Sequence, residues 1–341
     1  MVVNALVIGH EPPRGTASGG AGMDGNLRDR LVVVVGGSGF LGRYLVQELA
    51  HTGARIRVVV RSVERAYFLK PLGALGQIEI VAGDVTRPAT IAAAFVHADA
   101  AVNLVGILDE RGGQRFDAVQ ANGAAAVAGA AAAAGVRAFV QVSAIGADAG
   151  SAAGYARTKA AGEVAVTSAL PHATILRPSV VFGPEDQFLN RFAALAKQLP
   201  VVPVVAGGTR FQPVYVVDVA RAIVAALNDP ATFGGKTFEL GGPRVYAFRD
   251  IIAWILGEIR STKRMTEVPD GAARLMGRAG DLLPFVPMTS GQFTMLQSDN
   301  VAQPPGLAAF GIDPTPLEAV APAYLERYRT AGRFHRDGAT G

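Results

Sequence analysis

The chain has 341 residues, half of them apolar and 18% charged, with a net charge of +4. That length suits one large domain or two smaller ones, and a mild basic excess without a dense Lys/Arg block argues against nucleic-acid binding. The lack of cysteine excludes disulfides and thiolate chemistry, and the five histidines are scattered without metal-ligand spacing, so no metal site is expected.

In chain order, MVVNALVIGH has no basic n-region, so a secretory signal is not expected. EPPRGTASGGAG reads as flexible, and residues 1–29 are expected to form a tail. The β-branched run Val32 to Val35 in LVVVVGGSGFLG has the pattern of a buried parallel strand. Leu41, Leu45 and Leu49 then recur every four residues, which marks a helix that Gly53 can end. ARIRVVVRS and QIEIVAGDVT supply the second and third strands. AAVNLVGIL supplies the fourth, after a helix ending near His97. The Ala/Gly stretch from Gly123 to Val136 is too weakly apolar for a membrane span and reads as a close-packed helix. RAFVQVSAIGA is the fifth strand, a helix carries Tyr155 and Lys159, and HATILRPSVVFGP is the sixth strand.

Strands alternating with helices at this spacing predict an α/β fold, a doubly wound parallel sheet of the Rossmann type, over residues 30–184. Beyond Pro184 prolines multiply. Residues 185–330 are expected to form a smaller loop-rich region, interleaved with the first and carrying substrate or partner contacts, before a tail at 331–341. Thr315, Pro316 and Glu318 predict a helix start with a capping box, and Pro322 a kink. Asp218 is expected to cap its own helix, and Glu185 and Asp186 to be a solvated loop pair.

Gly36, Gly39 and Gly42 stand at G-x-x-G-x-x-G spacing between a strand and a helix. Such a turn lets a pyrophosphate approach the backbone of the Gly36–Gly42 segment, Ser38, Phe40 and Leu41 included. The helix N-terminus there offers free N–H groups. An acidic residue at the end of the second strand would bind a ribose 2′-hydroxyl, but Arg61 stands there, with Arg65 one turn on. A guanidinium matches a 2′-phosphate, which favours NADP(H) over NAD(H); the alternative is a solvated strand-end charge. Asp84, followed by Val85, is placed to accept from an adenine amino group or to cap the next turn. Val105 and Gly106, after the fourth strand, complete this cofactor set.

In YARTK, Tyr155 and Lys159 are one helical turn apart and share a face. An ammonium beside a phenol is expected to lower the phenol pKa and make Tyr155 a general acid or base near neutral pH. The alternative is an ordinary helix face with a Lys159–Glu163 contact.

The glycine motif, GDV (Gly83 to Val85), Ser143, YARTK and LRPSVVFGP (Leu176 to Pro184) together resemble the short-chain dehydrogenase/reductase superfamily of extended or atypical, epimerase/dehydratase type. The resemblance implies a Ser–Tyr–Lys site. Tyr155 would be the acid/base, Lys159 would tune it and hold the nicotinamide ribose, and Ser143 would orient a substrate carbonyl. Pro178, Ser179 and Val180 would flank the nicotinamide.

FGPEDQFLNRFA, FQPVYVVDVARAI, GGPRVYAF and FGIDPTPLE extend a narrower likeness to the nucleotide-binding accessory subunits of respiratory complex I, alpha-subcomplex subunit nine type, and their bacterial relatives. That likeness implies tightly held NADPH without established turnover, respiratory complex I subunits as partners, and a cytoplasmic, peripheral place on the inner face of the membrane. An active NADPH-dependent oxidoreductase or epimerase acting on a carbonyl, quinone-like or isoprenoid substrate stays open beside it, as does a redox sensor. The stretch from Arg274 to Leu296 mixes arginines with Leu282, Leu283, Phe285, Val286 and Met288, and reads as a partner or membrane surface, a lid, or core.

Overall fold

The structure is a computed structural model, and it describes residues 27–110, 113–282 and 288–329. The expected tails lie outside these residues apart from 27–29, and so do Leu283, Phe285 and Val286.

The first half alternates strands and helices: β1 (Leu31–Val35), α1 (Phe40–His51), β2 (Arg55–Val60), a 3-10 helix (Glu64–Leu72), β3 (Ile78–Ala82), α2 (Pro88–Ala94), β4 (Ala100–Asn103), α3 (Asn122–Ala133), β5 (Ala138–Val142), α4 (Gly154–Ala169) and β6 (Thr174–Pro178). A π-helical turn at Asp117–Ala121 leads into α3. Beyond it come β7 (Val181–Phe182), α5 (Leu189–Gln198), β8 (Val201–Val205), β9 (Arg210–Phe211), β10 (Val214–Tyr215), α6 (Val216–Asn228), α7 (Pro230–Phe233), β11 (Thr237–Leu240), β12 (Tyr246–Ala247), α8 (Phe248–Glu258), β13 (Arg264–Val268), α9 (Asp270–Leu282), α10 (Ser290–Met295) and α11 (Leu317–Leu325).

Seven strands form one parallel sheet in the order β11-β6-β5-β4-β1-β2-β3. β1 shows why a continuous valine run is a strand here: both of its faces are covered. Val32 and Val34 pack with Leu45 and Leu49 of α1 and Val219 and Ile223 of α6. Val33 and Val35 pack with Ile91 of α2 and Val127 of α3. The chain leaves β1 in one direction along the sheet and β4 in the other. That reversal opens a cleft at the carboxyl ends of these strands, where open α/β sheets bind ligands.

The expected sixth strand is two strands. It breaks at Ser179–Val180, and β7 leaves the central sheet to pair with β10. The seventh strand, β11, comes from the second half of the chain and lies beside β6. A third core gathers Phe182, Leu189, Phe211, Phe248 and Leu317 under α5, α8 and α11.

Three local expectations are corrected by long-range contacts. Asp218 lies inside the first turn of α6, whose N-cap is Tyr215, and accepts from the backbone N–H of Thr315 (2.7 Å) and its hydroxyl (3.1 Å). Thr315 therefore caps nothing. Pro316 is the N-cap of α11, and Glu318 accepts from Tyr246 Oη (2.8 Å) instead of closing a capping box. Asp186 is not solvated: it is buried, and accepts from the N–H groups of Gly183, Phe188 and Asn190 and from Tyr324 Oη. Pro322 lies within α11, which continues to Leu325.

Candidate functional site

A cavity of about 320 Å³ opens at the carboxyl ends of β1, β2, β3 and β4. Its floor is the glycine turn. Gly36 has φ +85°, a conformation that side-chain-bearing residues rarely adopt, and its N–H donates to Val59 O (3.0 Å). A Cβ on Gly42 would overlap the Gly37 backbone, so only glycine lets α1 begin this close to the strand. The N-cap of α1 is Gly39, and no side chain caps it. The first N–H groups of the helix, with the positive end of its dipole, are left for a ligand anion. Ser38, Phe40 and Leu41 line the same wall. These features fit a dinucleotide: an unoccluded backbone cradle, a free helix N-terminus and an apolar slot between Leu104, Val105 and Val119.

Arg61 and Asp84 face this cavity from the ends of β2 and β3. Burial raises the Asp84 pKa, but two hydrogen bonds from Thr86 and the charges of Arg61 and Arg87 outweigh it and hold the carboxyl below its usual range. Asp84 Oδ1 is already taken by Thr86, the turn-capping arrangement. Arg65 is exposed and does not line the cavity.

Ser143, Tyr155 and Lys159 do not line this cavity. Lys159 is buried and its Nζ donates to Val142 O at 3.3 Å. An added Cβ on Gly106, which does line the cavity, would stand 3.0 Å from Lys159 Nζ and 4.0 Å from Gln120 Oε1. Lys159 thus backs the cavity wall at Gly106. Ser143 is buried with its Oγ unpartnered, and Gln120 Oε1 is likewise buried without a partner. Tyr155 packs edge-on against Phe116 (centroids 6.0 Å).

The electrostatics differ from the expected tuning. Burial pushes the Tyr155 phenol up to about 12 instead of down. It pulls Lys159 down to about 8, against the opposing charge of Glu163. Desolvation disfavours both charged forms, and the ammonium stands 6.0 Å from the Tyr155 ring centre, too far to reverse that. The charge of Glu163 acts on Lys159, but its hydrogen bonds go elsewhere. Glu163 is held by Arg177 through two bonds of 2.9 and 2.6 Å.

Pro178, Ser179 and Val180 are not in the cavity wall either. Ser179 Oγ and Val180 N donate to Asn300 Oδ1 at 2.6 and 3.0 Å, which fixes the bend where β6 gives way to β7. Sequence reasoning passed over several lining residues, Val59, Val60, Ile107 and Gln114 among them, and the buried Gln120. Gln120 carried one signal: with Asn122 it is one of two amides just before an Ala-rich stretch. Among the described residues no group of three His, Asp or Glu side chains could hold a metal ion. No helix among them is long and apolar enough to cross a membrane.

The comparisons agree with this geometry. The chain is 36% identical over 340 residues to a protein of Arabidopsis thaliana named NADH dehydrogenase (ubiquinone) 1 alpha subcomplex subunit 9, mitochondrial, covering 95% of this chain and 83% of that one. The Mus musculus protein of the same name is 36% identical over 317 residues, covering 91% and 84%. A ceramide reductase of Caulobacter vibrioides is 35% identical over 247 residues, covering 72% and 71%. Among solved structures, a triphenylmethane reductase of Citrobacter sp. superposes with a TM-score of 0.70 at 22% identity, over 86% of this chain and 99% of that one, which shows the fold alone. Residues 32–241 match the profile of the NAD dependent epimerase/dehydratase family. The chain therefore belongs to the NAD dependent epimerase/dehydratase family and is a nucleotide-binding protein of the complex I accessory-subunit kind.

Proposed function

We propose that the chain holds NADP(H) in the cavity at the β1–β4 strand ends and serves respiratory complex I as an accessory subunit whose nucleotide is mainly structural or regulatory. It would sit peripherally at the cytoplasmic face of the membrane. Gly36, Gly39 and Gly42 would cradle the pyrophosphate, and Arg61 would meet the 2′-phosphate. Lys159 would approach the nicotinamide ribose past Gly106. The observation that carries the structural reading is the state of the Tyr155–Lys159 pair. Burial holds the Tyr155 phenol neutral far above neutral pH, and Lys159, still an ammonium below about pH 8, is engaged by the Val142 carbonyl. A pair so held suits gripping a ligand better than moving protons at neutral pH. The subunit 9 relatives, matched over nearly the whole chain, point the same way.

A second reading has its own observation. Ser143, to which the family resemblance gives the substrate carbonyl, carries a buried and unpartnered hydroxyl, and one relative is named a ceramide reductase. Bound NADPH supplies a hydride; on this reading Ser143 would orient the acceptor and Tyr155 would hold the proton at its Oη.

Titration of the purified chain with NADPH and NADH tests the cofactor. Arg61→Ala is expected to weaken NADPH by roughly tenfold or more and to leave NADH nearly unchanged, as loss of a guanidinium–phosphate pair requires. Equal weakening of both would remove the 2′-phosphate assignment. Native separation of gently solubilised membranes tests the partner: comigration with the NADH:quinone oxidoreductase is expected. NADPH consumption with ceramide-type lipids or quinone analogues, abolished by Tyr155→Phe, would instead establish the second reading.

A further inference from the structure

The turn that would hold the nucleotide is braced from outside the Rossmann layer. Phe40, in the cavity wall, lies against the corner Gly183–Asp186: a Cβ on Gly183 would stand 3.1 Å from its ring. The residues three and four positions further along α1 are tied to the same corner. Tyr44 Oη donates to Glu185 Oε2 at 2.7 Å, and Arg43 pairs with Glu185 Oε1 at 3.3 Å. Burial and the hydrogen bond to Glu185 push the Tyr44 phenol well above its ordinary pKa, so it stays a donor.

The corner in turn is held by the C-terminal helix. Asp186 is 4% exposed, and its two oxygens accept three backbone N–H groups and the Tyr324 hydroxyl (2.8 Å). Arg327, just past α11, donates to Pro184 O (3.0 Å) and to Asn190 Oδ1. Asn190 itself donates to the carbonyls of Pro184 and Asp186. Polar contacts thus tie α11 to the corner at Asp186 and the corner to α1 at Glu185, with the peptide between these two neighbours as the joint. The links from Tyr324 and Arg327 span 137 to 143 positions and exist only when α11 is seated, while the Tyr44–Glu185 bond ties the corner to α1.

We propose that Glu185 and Tyr324 are positioning residues for the nucleotide turn, so that nucleotide affinity depends on the seating of the C-terminal helix and, reciprocally, bound nucleotide holds that helix in place. The inference rests on the reading that the cavity takes NADP(H). Coupling of two sites is a reciprocal free energy, so it must appear from both ends. Contact alone does not prove coupling, so the test needs a cycle.

The experiment uses the full chain with NADPH as the probe. Kd is measured for the wild type, Glu185→Ala, Tyr324→Phe and the double variant, with hydrogen exchange of residues 317–328 followed with and without NADPH. Each single variant is expected to raise Kd by roughly five- to fiftyfold, within the usual span of such couplings. The double variant is expected to fall short of the product of the two, because both act through one corner. NADPH is expected to slow exchange in 317–328 in the wild type and to do so much less in Tyr324→Phe. Arg30→Ala, which removes a pair with Asp99 at the amino end of β1 and touches neither α11 nor the corner, is the control and should leave Kd within about twofold. Glu185→Gln, which keeps an acceptor for Tyr44, should restore part of the affinity. Unchanged Kd in both single variants, or equal weakening by Arg30→Ala, overturns the inference while leaving the cavity assignment intact. Failure of the wild type to bind either NADPH or NADH overturns both.

Discussion

The ammonium of Lys159 stands 6.0 Å from the centre of the Tyr155 ring, and the carbonyl of Val142, 3.3 Å away, is its hydrogen-bond partner. One helical turn brings the two side chains to the same face, but the floor of β5 takes the proton donor. The consequences are measurable as stability, spectroscopy and binding.

Lys159 makes stability depend on pH. Its folded pKa is about 8 against an ordinary 10.5. Below pH 8 both folded and unfolded chains carry the proton, and the full penalty of burying the ammonium applies. Between 8 and 10.5 the unfolded state binds more protons, so stability rises with pH. Tyr155 opposes this above pH 10, because its folded pKa of about 12 lies above the ordinary 10 and the folded state then retains the proton. Denaturant midpoints between pH 7.5 and 9.5 are expected to climb in the wild type more than in Lys159→Met. Parallel curves would show that Lys159 is not the group responsible.

Ser143→Ala removes a buried hydroxyl that has no partner in the protein. Relief of an unsatisfied polar group is expected to leave the ligand-free chain as stable as before or more stable by about 1 kcal/mol. Nucleotide-free thermal unfolding checks this. A clear loss of stability would mean that Oγ has a partner in the folded chain.

Gly42→Ala places a methyl group in the Gly37 backbone. Neither wall can yield without moving β1 or α1, so a loss of about 1–3 kcal/mol is expected, with loss of nucleotide binding. Gly129→Ala, where an added Cβ meets nothing, is the companion measurement and should be close to neutral or stabilising.

Arg177 neutralises Glu163 inside the protein. Arg177→Met takes from Glu163 its two hydrogen bonds and from Glu239 an ion pair, and is expected to cost about 1–3 kcal/mol, whereas Glu163→Met with Arg177→Met should recover most of that. Urea unfolding of the three proteins decides it, and a single variant no worse than the double would refute the pairing. Burial lowers Lys159 and the Glu163 charge raises it, so the double variant should also titrate Lys159 lower than the wild type.

Much of the fold could be read in advance for identifiable reasons. A parallel strand covered on both faces must be apolar throughout, so Val32 to Val35 announce themselves. Gly36 and Gly42 are visible because the turn tolerates nothing larger. β11 was not foreseen as a central strand because TFEL is four residues long and half polar, with its place set by β6. Asp186 and Asp218 were misread because their partners, Tyr324 and Thr315, are 138 and 97 positions away. Local rules offered a loop acid and a helix cap, and long-range donors decided otherwise.

By itself the sequence determined the strand–helix alternation, the glycine cradle and the shared face of Tyr155 and Lys159, since each follows from spacing within a few residues. Only the tertiary structure decided the charge state of that pair, because desolvation depends on what packs over it. It alone seated Lys159 behind Gly106, where the loop after β4 meets α4. It also locked the corner at Glu185 and Asp186 between the nucleotide turn and the C-terminal helix, through hydrogen bonds whose partners are brought together only by the folded chain.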